Sequence, residues 1–119
     1  MNQSVFPNLI ANDLELTSAW YQKNLGATFK MSVPSKTDAT KACFTTLTIS
    51  GNDVMFQTVE NIEGKYKGLE RRISVGYGVA LNIQVADAQA VYDALEDTSG
   101  IIAEPADTFY GMREFTIED

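Results

Sequence analysis

The chain has 119 residues, 45% of them apolar and 21% charged, which suits one hydrophobic core and excludes two independent ones. No apolar run approaches the ~18 residues that a bilayer span requires, so no membrane partner is expected. Nine basic against sixteen acidic residues leave a formal charge of −7. That charge repels a phosphate backbone, excludes a general nucleic-acid binder, and sits more easily with a neutral or cationic ligand.

The elements follow in chain order. Met1 to Ser4 show neither the basic stretch nor the apolar core of a signal peptide, so a cytoplasmic location is expected. A strand carrying Phe6, Asn8 and Ile10 on one face runs into Asp13, a helix N-cap residue by type. The helix that follows buries Leu14, Tyr21 and Leu25 and stops at Gly26, where a left-handed residue costs little. Trp20 adjoins Tyr21, so one of the two lies off the buried stripe, and a helix flank at a dimer contact suits it.

Three strand-like runs come next, Ala27 to Val33, Ala42 to Ser50 and Asp53 to Val59, the last two joined by a Gly51-Asn52 hairpin loop. Phe44, Thr46 and Thr48 alternate with Leu47 and Ile49, and the latter pair is the better helix-facing set. The lone Cys43 can form no internal disulfide, and without a histidine or second thiol it reads as a buried structural thiol. The stretch 61–78, rich in Gly, Lys and Arg, reads as a linker with a short helical turn around Leu69 to Ile73. Its glycines lack the Lys-Ser/Thr of a phosphate loop.

The second half opens with Leu81-Asn82-Ile83-Gln84-Val85, whose alternation predicts a half-buried strand with Ala80, Asn82 and Gln84 on the outer face. Asp87 caps a helix with Ala88, Val91, Tyr92 and Leu95 inward, expected to end at Gly100. Strands at Ile101 to Glu104 and Met112 to Glu118, joined by a Pro105 to Gly111 loop, complete the chain.

The two halves are copies. Asn8-Leu-Ile-Ala-Asn-Asp13 and Asn82-Ile-Gln-Val-Ala-Asp87 match, and Asn, Asp and the downstream Gly all repeat at one offset of 74 residues. The expected fold is α+β, two βαβββ modules in tandem in a single domain 1–119. Module one spans 1–60, the linker 61–78 and module two 79–119, with the last strand of module two missing.

With Pro7-Asn8-Leu9, Asn12-Asp13-Leu14, Trp20-Tyr21, Asn24-Leu25-Gly26, Val85-Ala86-Asp87 and Tyr110-Gly111-Met112-Arg113-Glu114-Phe115, this order resembles the vicinal oxygen chelate superfamily. That superfamily includes glyoxalase I, extradiol dioxygenases, fosfomycin resistance enzymes and bleomycin resistance proteins. The resemblance implies sheets curved around a cup, often completed across a dimer, and in the metal enzymes a divalent ion held by the first and last strands of each module. Mapped onto this chain, those ligand positions fall at Phe6, at Ala80 and near Gln57, and a fourth beyond Asp119. Phe6 and Ala80 cannot ligate, and the chain has no histidine to serve as nitrogen ligand or as general base near neutral pH. No metal, cofactor or catalytic residue is therefore expected.

The residues expected to line the cup are Phe6, Asn8, Ile10, Phe44, Thr46, Met55, Gln57, Ala80, Asn82 and Gln84, with Tyr110 and Arg113 at its rim. An apolar wall with a few amides is what a small-molecule site needs. The resemblance to the metal-free bleomycin resistance type implies a homodimer that sequesters an antibiotic or another cationic or aromatic compound. Two readings stay open beside it, a metal-dependent lyase, isomerase or dioxygenase, and an interaction module whose cup is filled. Arg113 could equally pair with an acidic neighbour, and an open edge of the second sheet calls for cover by a partner chain.

Overall fold

A computed structural model describes residues 4–65 and 78–119. It contains β1 (Asn8–Ile10), α1 (Leu14–Leu25), β2 (Thr28–Pro34), β3 (Ala42–Ile49), β4 (Asn52–Gln57), α2 (Val59–Lys65), α3 (Ala88–Asp93), β5 (Ile101–Asp107) and β6 (Arg113–Ile117). The architecture is α+β. A four-stranded sheet runs in the order β1-β4-β3-β2, with β1 parallel to β4 and the other neighbours antiparallel, and β5 and β6 form a separate hairpin.

α1 is shaped by its ends. Asp13 is extended, with φ −132°, and its Oδ1 accepts from the Leu16 N–H at 3.0 Å. Gly26 closes the helix at φ 64°, its N–H donating to the Tyr21 carbonyl. Between them Leu14 and Tyr21 press on Leu47, Ile49, Val54 and Phe56 to form the core. Leu14, Leu47 and Phe56 are almost wholly buried, and each such side chain contributes about 1.5–3 kcal/mol. Tyr21 also meets the rings of Trp20 and Phe56 at centroid distances of 4.9 and 5.2 Å.

The β3–β4 turn is centred on Ser50-Gly51 rather than Gly51-Asn52. Ile49 pairs with Asn52, and the two residues between have φ of 49° and 81°, the double left-handed conformation that matches the strand twist. The predicted strand limits also move: β2 runs on through Pro34, β4 ends at Gln57, and β5 continues through Pro105 to Asp107, which leaves a shorter loop at Thr108–Met112. α2 occupies the start of the expected linker, while the turn expected at Leu69–Ile73 lies outside the described residues.

The second half departs further from its pattern. Asp87 caps α3 as expected, accepting from the Ala90 N–H at 3.0 Å. The helix ends at Ala94, however, well before Gly100. After it come Glu96, Asp97, Thr98 and Ser99, and the Asp97 carboxylate takes the Ser99 N–H, a local bond that competes with helix. Gly100 serves a different purpose from Gly26. A Cβ there would sit 2.5 Å from the Glu118 carbonyl oxygen, and the Gly100 carbonyl accepts from the Glu118 N–H at 2.8 Å, so the strand approach admits no side chain.

Leu81 to Val85 belongs to no strand ladder among the described residues, contrary to the strand expected there. The segment is placed by its apolar side. Leu81 and Ile83 pack against the first half's core, so module one's helix layer takes up side chains of the second half. Two polar contacts join the halves as well, Tyr21 Oη donating to Asp119 Oδ2 at 2.7 Å and Lys23 meeting Glu96 at 2.7 Å. No helix among the described residues is long and apolar enough to cross a membrane.

Two predictions follow from these contacts. Burial, and then the neighbouring Asp119 carboxylate, raise the Tyr21 hydroxyl well above the ordinary tyrosine range, so it stays protonated as a donor. Tyr21→Phe removes this one inter-half bond and should cost about 0.5–1.5 kcal/mol in urea unfolding; an unchanged midpoint would show that the bond contributes nothing. The second concerns Asp13, held below its ordinary carboxylate value chiefly by the Leu16 N–H, as Asp53 is by Lys30 and Asp97 by the Ser99 N–H. A lowered folded pKa stabilises above the unfolded value of about 3.9, and that contribution is lost as pH falls through the folded value. Asp13→Asn, which still caps but does not titrate, should leave melting near neutral pH almost unchanged and make its decline below about pH 4 shallower. An equally steep decline would refute the assignment.

Candidate functional site

Strand register decides which side chains share a face. Asn8 pairs with Met55 and Met55 with Thr46; Ile10 pairs with Gln57 and Gln57 with Phe44. These six therefore lie on the face opposite α1, while Leu9, Phe56, Leu47 and Val54 lie on the helix side. Thr48 joins the outer face through its pairing with Asp53. The same rule adds Met31, opposite Thr46, and Val33, opposite Phe44. Both were missed, although the alternation Met31-Ser32-Val33 was the signal for them.

The outer face mixes apolar and polar side chains and is more exposed at its margins, on β1 and β2, than at its centre. Asn8 is exposed, Phe6 is 48% exposed just before β1, and Met31 and Val33 are exposed at 44% and 41%. Ile10, Phe44 and Met55 are half-buried. Thr46 and Gln57 are buried. The Gln57 amide oxygen accepts from Asn61 Nδ2 of α2 at 2.8 Å, so its acceptor is already satisfied within the chain. On the same face Asp53 accepts from both Lys30 and Thr48, which holds that acid as a local ion pair.

The second half contributes less than expected. Ala80, Asn82 and Gln84 are exposed, while Leu81 and Ile83 between them are partly buried against the core. No hydrogen bond between described residues engages the amides of Asn8, Asn82 or Gln84, and none of the three is buried. Tyr110 donates to Glu114 at 2.8 Å, a bond that raises its hydroxyl above the ordinary tyrosine value. Arg113 is turned toward α3, bonding the Gln89 amide oxygen at 2.9 Å and Asp107 at 3.0 Å. Its acidic-neighbour reading is the one realised. Cys43 is half-buried rather than buried, with its thiol toward the Pro34 carbonyl at 3.5 Å.

A surface cleft lies elsewhere. It measures about 410 Å³ and opens between the C-terminal end of α1 and α3, lined by Leu25, Ile83, Val85, Ala90, Val91 and Ala94. A smaller hollow of about 140 Å³ adjoins Glu15, Pro34 and Thr40. Neither is lined by the expected site residues.

The β1-β4-β3-β2 sheet with its single covering helix, followed by a second capped helix and hairpin, is matched by a family model described as Glyoxalase/Bleomycin resistance protein/Dioxygenase superfamily over residues 4–119. The chain belongs to this superfamily. Six chains of solved structures match it. One is the crystal structure of TioX from Micromonospora sp. ML1, similar with a TM-score of 0.68 and 16% identity over 99% of this chain and 90% of that one. At that identity the likeness carries the fold alone. No curated protein matches.

The superfamily's metal can be tested against the residues present. Phe6 and Ala80 offer no donor atom, and Gln57 offers a neutral oxygen that Asn61 already engages. Among the described residues no group of three or more His, Cys, Asp and Glu could hold a metal ion. The donor set does not fit a divalent ion at those positions, and no chemical step is derived through one. A chelator such as EDTA should leave the melting temperature of the purified protein unchanged, and a stoichiometric metal content by elemental analysis would overturn this reading.

Proposed function

We propose that this protein binds a small organic molecule on the sheet face opposite α1 and carries out no metal-dependent chemistry there. The observation that supports this reading is the make-up of that face. Phe6, Ile10, Phe44, Met31 and Met55 provide apolar contact area, and the Asn8 amide beside them has no partner among the described residues. Such a mixture orients a ligand by a few polar contacts and holds it by area.

An aromatic or cationic compound suits the site best, an antibiotic of the bleomycin class being one candidate. The aromatic rings and thioethers accept flat, polarisable groups, and the net charge of −7 attracts cations. Catalysis is not part of the reading, because the chain has no histidine and its carboxylates on this face are committed, as Asp53 is to Lys30. A homodimer in the cytoplasm, with the partner closing over the exposed β2 edge, belongs to the same proposal.

The test is a thermal-shift titration with bleomycin-like and other cationic aromatic compounds. A ligand at one hundred times its Kd should stabilise the protein by about 2.7 kcal/mol. Trp20 fluorescence is the poorer readout, since Trp20 packs on the helix side of the sheet. Asn8→Ala changes an exposed side chain and should reduce the shift without altering the melting temperature of the free protein. No shift across a chemically diverse library would overturn the proposal.

A further inference from the structure

The register of the first sheet lays out its outer face as two rows. One row runs Asn8, Met55, Thr46, Met31 across β1, β4, β3 and β2, and the next runs Ile10, Gln57, Phe44, Val33. Neighbouring strands lie about 4.8 Å apart, so Gln57 sits between Ile10 and Phe44 and diagonally across from Thr46. Gln57 and Thr46 belong to the two middle strands, and they are only 1% and 6% exposed. Asn8, on the edge strand β1, is exposed, so water satisfies its amide.

The Gln57 amide is held in one orientation. Its Oε1 accepts from Asn61 Nδ2 at 2.8 Å, and Asn61 is itself set in the first turn of α2, where its N–H donates to Thr58 Oγ1 at 3.2 Å. With the oxygen taken, the end of the amide left over is Nε2, which only donates. No hydrogen bond between described residues engages Gln57 Nε2 or Thr46 Oγ1. Among the same residues no fully covered side-chain nitrogen or oxygen lacks a partner, so the little surface that Gln57 and Thr46 keep includes these two atoms. Two donors on diagonal neighbours thus open from an apolar floor of Ile10, Phe44 and Met55. A donor so nearly cut off from water is unfavourable until an acceptor meets it.

We propose that Gln57 Nε2, with Thr46 Oγ1 beside it, determines what this face binds by donating to an uncharged acceptor on the ligand, a carbonyl or amide oxygen carried on an aromatic or cationic body. Asn61 is a positioning residue: it holds the Gln57 oxygen and so leaves the donor end for the ligand. A neutral acceptor is favoured over an anionic one because the chain carries a charge of −7. This assignment rests on the small-molecule reading of the face and narrows its ligand class to compounds with such an acceptor.

The probes are para-acetylbenzylammonium and para-ethylbenzylammonium, which share ring, charge and length and differ in a carbonyl against a methylene. Each is titrated into the whole protein, with backbone and side-chain amide NMR signals as the readout. The ketone should bind about tenfold more tightly, the gain expected when one hydrogen bond meets an otherwise unpaired donor, and should shift the Gln57 side-chain NH2 signals. Gln57→Glu still accepts from Asn61 but offers no donor. Asn61→Asp turns the Gln57 amide over, since a carboxylate only accepts, and at a half-buried site it carries the test even where Gln57→Glu fails to fold. Either substitution should bring the two affinities within about twofold of each other. Added negative charge strengthens both ammonium probes alike, so their ratio reports the donor and not general stability or charge. Equal affinity of the two probes for the parent protein, or a ketone preference that survives both substitutions, would overturn the assignment and leave the small-molecule reading standing. Absence of binding by either probe at millimolar concentration would overturn it too, and the small-molecule reading would fall with it only if the thermal-shift library were also silent.

Discussion

The packing of Leu14 and Tyr21 against Leu47, Val54 and Phe56 is the contact on which the rest of the molecule is arranged. It holds α1 to one face of the first sheet, and strand alternation then forces Asn8, Ile10, Phe44, Thr46, Met55 and Gln57 to the other. A one-residue slip in β4 would exchange the two sets, bringing Met55 and Gln57 into the core and Phe56 out of it. The Ser50-Gly51 turn, with both residues left-handed, guards against that slip by fixing where β3 ends and β4 begins. The outward face is thus a by-product of a well-specified inward one.

The same core reaches across the repeat. Leu81 and Ile83 pack on it, Tyr21 bonds Asp119 and Lys23 meets Glu96, so the first half's core and helix contribute to holding the second half. Its own packing is slighter, a Tyr92–Phe115 ring contact at 5.5 Å together with the Arg113–Gln89 bond. α3 has no fully buried residue, whereas α1 has two. The exposed Lys23–Glu96 pair adds little by itself, being screened by solvent. What unites the halves is apolar area, and the cleft beside α3 marks where that area runs out.

Membership of a superfamily with metal-dependent enzymes sets this chain's departures in relief. The positions that would carry ligands hold a phenyl ring, a methyl group and an amide already engaged by Asn61. Neither the phenyl ring nor the methyl group offers a donor atom, and the amide offers only a neutral oxygen. The fold persists because it rests on caps and apolar alternation, which metal ligation does not touch.

Much of this was legible in the residues alone, because the features concerned are local. Asp13 and Asp87 cap helices by bonding to residues three positions on, Gly26 ends α1 by its own backbone freedom, and the alternation in Ala42–Ile49 sorts its two faces without reference to anything distant. Gly100 was misread because a glycine needed for close approach to Glu118, eighteen residues away, carries the same letter as one needed for a helix cap. Leu81 to Val85 has strand-like alternation but no ladder, since a strand requires a neighbour and alternation records only a buried side. Likewise Gln57 read as a cup residue, and tertiary packing buried it under Asn61; Arg113 read as a rim residue, and Gln89 with Asp107 drew it to α3. The helix caps at Asp13, Asp87 and Gly26 and the facing of β1, β3 and β4 are written in the residues alone, each set within a few positions along the chain. Which amides stay free, where a cleft opens and which edges go unpaired were decided by contacts between distant segments, and those exist only once the chain has folded.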